Sequence, residues 1–125
     1  MKKLQRVAAA IEAATGLALM IYPLLVVVLL SGGGLSGAGI GVGRLAGFAL
    51  LSLGLACWPN LDSAGANIPA LRALLTYNLL TTLYLAYLGI DGQWVGSLLW
   101  PAVALHAVLT FLLARARFAG VGVKQ

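Results

Sequence analysis

From Ala13 to Leu30 the chain runs for eighteen residues without a charge, and three further apolar runs follow it. A helix needs about 20 apolar residues to cross a hydrocarbon core roughly 30 Å thick. In that medium every backbone N–H and C=O must be bonded within the segment, which leaves the helix as the form for such a run. The pattern predicts spans over residues 7–30, 40–58, 69–90 and 94–114. Composition agrees: 9% of the residues are charged and 62% are hydrophobic, whereas a soluble domain carries about 25% charged residues. So few charges cannot cover a water-facing surface. The expected fold is an all-α integral membrane protein, a single domain of 125 residues built as a four-transmembrane-helix bundle, up-down-up-down.

The breaks between runs are legible. "SGGGLSGAG" separates the first two spans, and "PNLDSAGANIP", with two prolines and Asp62, separates the second from the third. "DGQ", residues 91–93, makes the last turn. Pro23 falls inside the first span and is expected to kink it, with neighbouring helices satisfying the freed carbonyl. "MKKLQR" looks like the basic start of a signal peptide, but the apolar run is longer than the 7–15 residues typical of such a core, and no A-x-A site follows. A retained span is the expectation.

The net charge of +5 is placed at the ends. Lys2, Lys3 and Arg6 precede the first span; Arg115, Arg117 and Lys124 follow the fourth. No basic patch is interleaved with aromatics, so nucleic acid is not an expected partner. The lipid bilayer, with its anionic headgroups, is. Four spans put both termini on one side, and the connectors near Leu35 and Asp91 hold no lysine or arginine. Basic loops stay in the cytoplasm, so both termini and the 59-to-67 connector are expected there, in a bacterial-type inner (plasma) membrane.

"GAGIGVGRLAG", residues 37–47, contains a loose G-x-G-x-x-A at Gly41 to Ala46. A dinucleotide loop needs a preceding strand and a βαβ setting, and a membrane run precedes this one. The spacing favours packing instead. Gly39, Gly43 and Gly47 recur every fourth residue, with Gly54 near the same face, and small residues at this spacing let another helix backbone come close. Arg44, among them, is expected near the outer face, as an interface anchor or as a partner for Asp91.

Ionisable groups at membrane depth are expensive, about 2.5–3.5 kcal/mol each on insertion scales, and so are informative. Glu12, Arg72, Asn78 and His106 form the candidate intramembrane polar site. Glu12 and Arg72 are expected near the cytoplasmic end of spans one and three, where they would pair or snorkel. Asn78, with Thr81 and Thr82 three and four residues on, offers a polar face; interhelical hydrogen bonding is its plainer role. His106, the single histidine, sits about 12 Å along the helix from Arg115, with Pro101 five residues earlier expected to open the local backbone. Its plainer role is a neutral ring bonded to a carbonyl or threonine; the others are a proton relay, a quinone contact or a haem ligand. Bis-histidine haem ligation would need a dimer. The lone Cys57 excludes an intrachain disulfide and a cysteine-cluster metal site, and no metal is expected.

No paired carboxylates, H-E-x-x-H, serine triad or Walker A sequence is present, so a non-catalytic role is expected, with no bound cofactor. The first expectation is an accessory or structural subunit of a larger membrane complex, packing through the glycine face against other membrane subunits or copies of itself. The second is a homo-oligomeric transporter or channel for a small solute or ion, using the polar groups of the inner half. The third is a redox subunit in which His106 contacts quinone or haem.

Overall fold

The structure, a computed structural model, describes residues 2–34, 36–59 and 67–119. Asp62 and Lys124, most of the 59-to-67 connector and the end of the C-terminal tail lie outside the described residues. Among the described residues there are five helices: α1 (Lys2–Ile21), α2 (Pro23–Ser31), α3 (Gly37–Ala56), α4 (Ile68–Ile90) and α5 (Leu99–Ala119). Among the described residues there is no strand. Among the described residues four helices are long and apolar enough to cross a membrane: α1, α3 from Gly39, α4 and α5.

The helix boundaries follow local chemistry. Pro23 does more than kink the first run; it divides it. Tyr22 leaves helical geometry at φ −128° and ψ 61°, because the ring of a following proline crowds the helical conformation of the residue before it. Pro23 then opens α2, where its missing N–H costs nothing. Gly32 ends α2 in the left-handed region, φ 79°, and its N–H donates to the Val28 carbonyl. The Ser36 hydroxyl caps α3 by accepting from the Gly39 N–H, and the Asn67 side chain caps α4 by accepting from the Ala70 N–H.

Two antiparallel pairs carry most of the packing, α1 with α3 and α4 with α5. Small residues set the first. A Cβ added to Gly47 would fall 2.7 Å from both the Gly16 carbonyl oxygen and the Met20 nitrogen; one added to Gly54 would fall 2.6 Å from the Ala9 carbonyl oxygen. The backbones therefore meet along Gly47 and Gly54 on α3 and Ala9, Ala13 and Gly16 on α1. Gly43 is looser, 3.1 Å from Pro23 Cβ, and Gly41 faces open space. Gly39 is half-buried at the start of α3.

At the near end, where Lys2 lies, the four long helices close on a core of Ala8, Ala9, Cys57, Ala70, Leu71, Leu74, Leu109 and Leu113. The Gln5 side chain donates to the Cys57 carbonyl at 2.8 Å and so seals the C-terminal end of α3.

The far end is built differently. Helix α5 begins at Leu99 rather than at Trp94, because residues 95–98 serve α2 instead of extending the helix. The N–H groups of Val95, Gly96 and Leu98 donate to the carbonyls of Ser31, Leu30 and Leu29 at 3.1, 3.1 and 2.8 Å. These are carbonyls that the last turn of a helix leaves without partners. Gly96 is required by this approach, since a Cβ there would collide with the backbone of Leu29 and Leu30. Pro101 then falls in the first turn of α5, where no N–H is needed, so it starts the helix rather than opening it. At its other end α5 continues past Ala114 to Ala119, through Arg115, whose guanidinium lies 5.9 Å from the Phe111 ring centre.

Candidate functional site

Leu71, Leu74 and Asn78 follow each other at three and four residues along α4, so they share its inward face. All three have no exposed surface. Arg72 points elsewhere and is exposed. The expected meeting of Glu12 with Arg72 therefore does not occur; the partner of Glu12 is Asn78. Six residues separate Arg72 from Asn78, which turns them far apart around the helix.

The Asn78 amide joins three helices. Its Nδ2 donates to Glu12 Oε1 of α1 at 3.1 Å and to the Leu74 carbonyl of its own helix at 2.9 Å. Its Oδ1 lies 2.7 Å from His106 Nδ1 on α5. Glu12 is fully buried and His106 is 7% exposed. Glu12, Asn78 and His106 thus form one continuous hydrogen-bonded line across the bundle. It lies about 15 Å along α1 from Lys2 at the usual helical rise.

The amide orientation follows from the network. The Leu74 carbonyl can only accept, so Nδ2 must face it and Oδ1 must face the histidine. An amide oxygen can only accept too, so His106 Nδ1 carries a hydrogen. The neutral ring is fixed as the Nδ1–H tautomer, with a lone pair on Nε2. Tyr77 holds the ring from one side, edge-on, with centroids 6.0 Å apart and planes at 79°. The nearby threonines do something simpler. Thr82 and Thr110 donate to the carbonyls of Asn78 and His106, each at 2.7 Å, four residues back along their own helices.

On the far side of this line lies a cavity of about 350 Å³. Its wall includes Leu19, Leu50, Tyr77, Thr81, Trp94 and His106. Leu98 and Leu105, also on the wall, are 41% and 43% exposed, so the cavity reaches the outside of the bundle. Two buried oxygens lack a partner among the described residues, Gln5 Oε1 and Glu12 Oε2.

The other sequence-derived positions stay apart from this site. Arg44 and Asp91 are both exposed, and among the described residues no ion pair joins them. Asp91 accepts instead from Gln93 Nε2 within its own turn. Arg44 borders a separate groove with Ile21, Tyr22, Leu25 and Ile40. Cys57 is buried at the near end, its thiol 3.7 Å from the Ala70 carbonyl. Among the described residues no group of three or more His, Cys, Asp or Glu side chains is placed to hold a metal ion. Comparison with protein-family models, curated proteins and solved structures found no match.

Proposed function

We propose that the chain is a multi-pass membrane protein of four up-down-up-down spans, with both termini on the cytoplasmic side of a bacterial-type inner membrane, and that it holds a small lipid-soluble molecule in the cavity beside His106. One observation carries the reading: the buried line from Glu12 through Asn78 ends on a histidine in the cavity wall. Fixing one ring by two further polar side chains is more than helix packing requires, since interhelical hydrogen bonds contribute only about 0.6 kcal/mol on average. A mostly apolar cavity with a few well-placed polar groups, here His106 with Tyr77 and Thr81, is the usual form of a small-molecule site. The surroundings support a lipid setting, because large side chains such as Leu80, Ile90 and Phe111 are more than half exposed.

The same geometry weighs against the other roles. Gly47 and Gly54 are filled by the chain's own α1, which leaves little of the glycine face for another subunit. A conduction path would have to pass the near-end core, where Leu71, Leu74 and Leu113 are completely buried. A quinol, which is lipid-soluble and carries hydroxyl groups, belongs to the class of molecule proposed.

The test is extraction. Protein purified in mild detergent from its own membranes should release a stoichiometric small molecule into organic solvent, detectable by mass spectrometry. Ala102→Phe, which fills the cavity, should release none. Equal yields from the two proteins would show that the molecule sits elsewhere, and empty extracts from both would count against the reading.

A second reading rests on Arg44. It is exposed seven residues into α3 among exposed apolar neighbours, Val42, Leu45 and Phe48. A second subunit or copy that brings a carboxylate there would cover it. Leu45→Cys in a Cys57→Ala background should then crosslink in native membranes; a product that stays monomeric argues for Arg44 as an interface anchor.

A further inference from the structure

His106 offers its visitor one specific thing. Asn78 Oδ1 accepts the Nδ1 hydrogen, with 2.7 Å between Nδ1 and Oδ1, and the Leu74 carbonyl prevents the amide from turning over. The neutral ring therefore meets the cavity as an acceptor through Nε2, and the fixed tautomer keeps it from switching to a donor. Among the described residues His106 Nε2 has no partner, and it is not one of the buried atoms left unpartnered, so it has room on its open side. The remaining wall is mainly leucine and aromatic. A dry apolar cavity of ~150 Å³ holds one benzene ring, so about 350 Å³ suits a ring bearing a short alkyl chain.

We infer that the cavity selects a lipid-soluble hydroxyl compound, a phenol-like ring whose O–H donates to His106 Nε2 while its apolar body packs among Leu19, Leu50, Tyr77 and Trp94. This rests on the cavity being the working site and adds the chemical class that it selects. An ether or ester of the same shape has no hydrogen to give, and it would set an oxygen against the Nε2 lone pair. Sites built to pair a polar group reject analogues lacking the matching group far more strongly than they reject a change in size.

Trp94 lies in the cavity wall and reports on occupancy. Trp58 and Trp100 are exposed and can be replaced by phenylalanine, leaving Trp94 as the single indole. The protein in zwitterionic lipid nanodiscs is titrated at neutral pH with para-butylphenol and, separately, with its methyl ether, para-butylanisole. The expected result is a saturable Trp94 response to the phenol and one about tenfold or more weaker to the ether. His106→Phe should bring the phenol down to the ether, and Ala102→Phe should abolish both responses. Equal affinity of the unaltered cavity for phenol and ether overturns the hydroxyl assignment while leaving the cavity as a site. No saturable response to either overturns the cavity reading, and the inference with it. The phenol and ether comparison needs no change at His106, so it stands even if the His106 variant fails to fold.

Discussion

The near and far ends of this bundle are made from the same kinds of residue and reach opposite results. At the near end, small side chains on α1 and α3 bring backbones together, and leucines from α4 and α5 fill what remains. At the far end, the break at Tyr22 and the non-helical segment 95–98 hold the helices apart, and a cavity is left. The buried line of Glu12, Asn78 and His106 lies between the two. Close packing below gives that line fixed positions, and the space above gives its last member something to face. Apolar content alone therefore decides little; where the small residues and the helix breaks fall decides which end is solid.

The sharpest way to break the contrast is to force the near end apart. Gly54→Leu places a side chain where a Cβ already meets the Ala9 carbonyl oxygen and the Ala13 nitrogen at 2.6 and 2.7 Å. Overpacking costs about 1–3 kcal/mol, occasionally more, and here rigid backbone cannot yield, so a loss above ~3 kcal/mol is expected in a reversible detergent unfolding titration. Gly16→Leu, where α1 meets Gly47 and Leu50 beyond the polar line, should behave alike. Gly41→Leu, facing open space, should change stability by less than ~0.5 kcal/mol. If Gly41 and Gly54 proved equally sensitive, the glycine face would serve an outside partner instead of α1.

Cutting the line in the middle comes next. Asn78→Leu removes the donor to Glu12 and the acceptor from His106, leaving two buried polar groups unpaired. A cost of about 2–4 kcal/mol follows from one to three per stranded group with partial relaxation. Glu12→Gln retains an oxygen to accept from Asn78 and should cost less than ~1 kcal/mol. A Glu12→Gln loss as large as that of Asn78→Leu, in the same titration, would mean that the carboxyl has a partner besides Asn78.

The far end should respond more gently. Gly96→Ala strains the contact with Leu29 and Leu30 and should loosen the end of α2, costing about 1–2 kcal/mol. Amide exchange should accelerate at Val95, Gly96 and Leu98 while the near-end core stays protected. Smallest of all is Ala102→Leu, a methyl-rich side chain placed in the cavity. It should be neutral or stabilising by up to ~1 kcal/mol, whereas the same added volume against Ala9 should destabilise.

The four long helices were legible because hydropathy and chain breaks are local properties. The glycine stripe was legible as a contact surface, but its partner was not. The complementary pattern is present at Ala9, Ala13 and Gly16, spaced by four and three residues, and matching it to Gly47 and Gly54 would have joined α1 to α3. The site was half legible. Glu12, Asn78 and His106 stood out as polar residues in apolar runs, but one helix does not reveal which face of another it meets, and Arg72 looked an equally good partner by depth. The stretch 94–98 misled for a definite reason. Its Trp, Val and Leu read as a helix start, and its true role depends on the open carbonyls of α2, some 65 positions earlier. Gly96 and Pro101 were the local hints that the helix begins later.

The clasp of residues 95–98 on α2 also has a bearing on synthesis. The carbonyls of Leu29, Leu30 and Ser31 are made early, and the N–H groups that meet them are made only after α3 and α4 have been completed. Contacts so distant in sequence form late. Until then the first quarter of the chain carries a helix end whose last carbonyls lack these partners. The cavity wall draws on both α2 and α5, so a chain halted before Val95 would own the packed α1 and α3 pair together with Glu12 and Asn78, but neither His106 nor the α5 side of the wall.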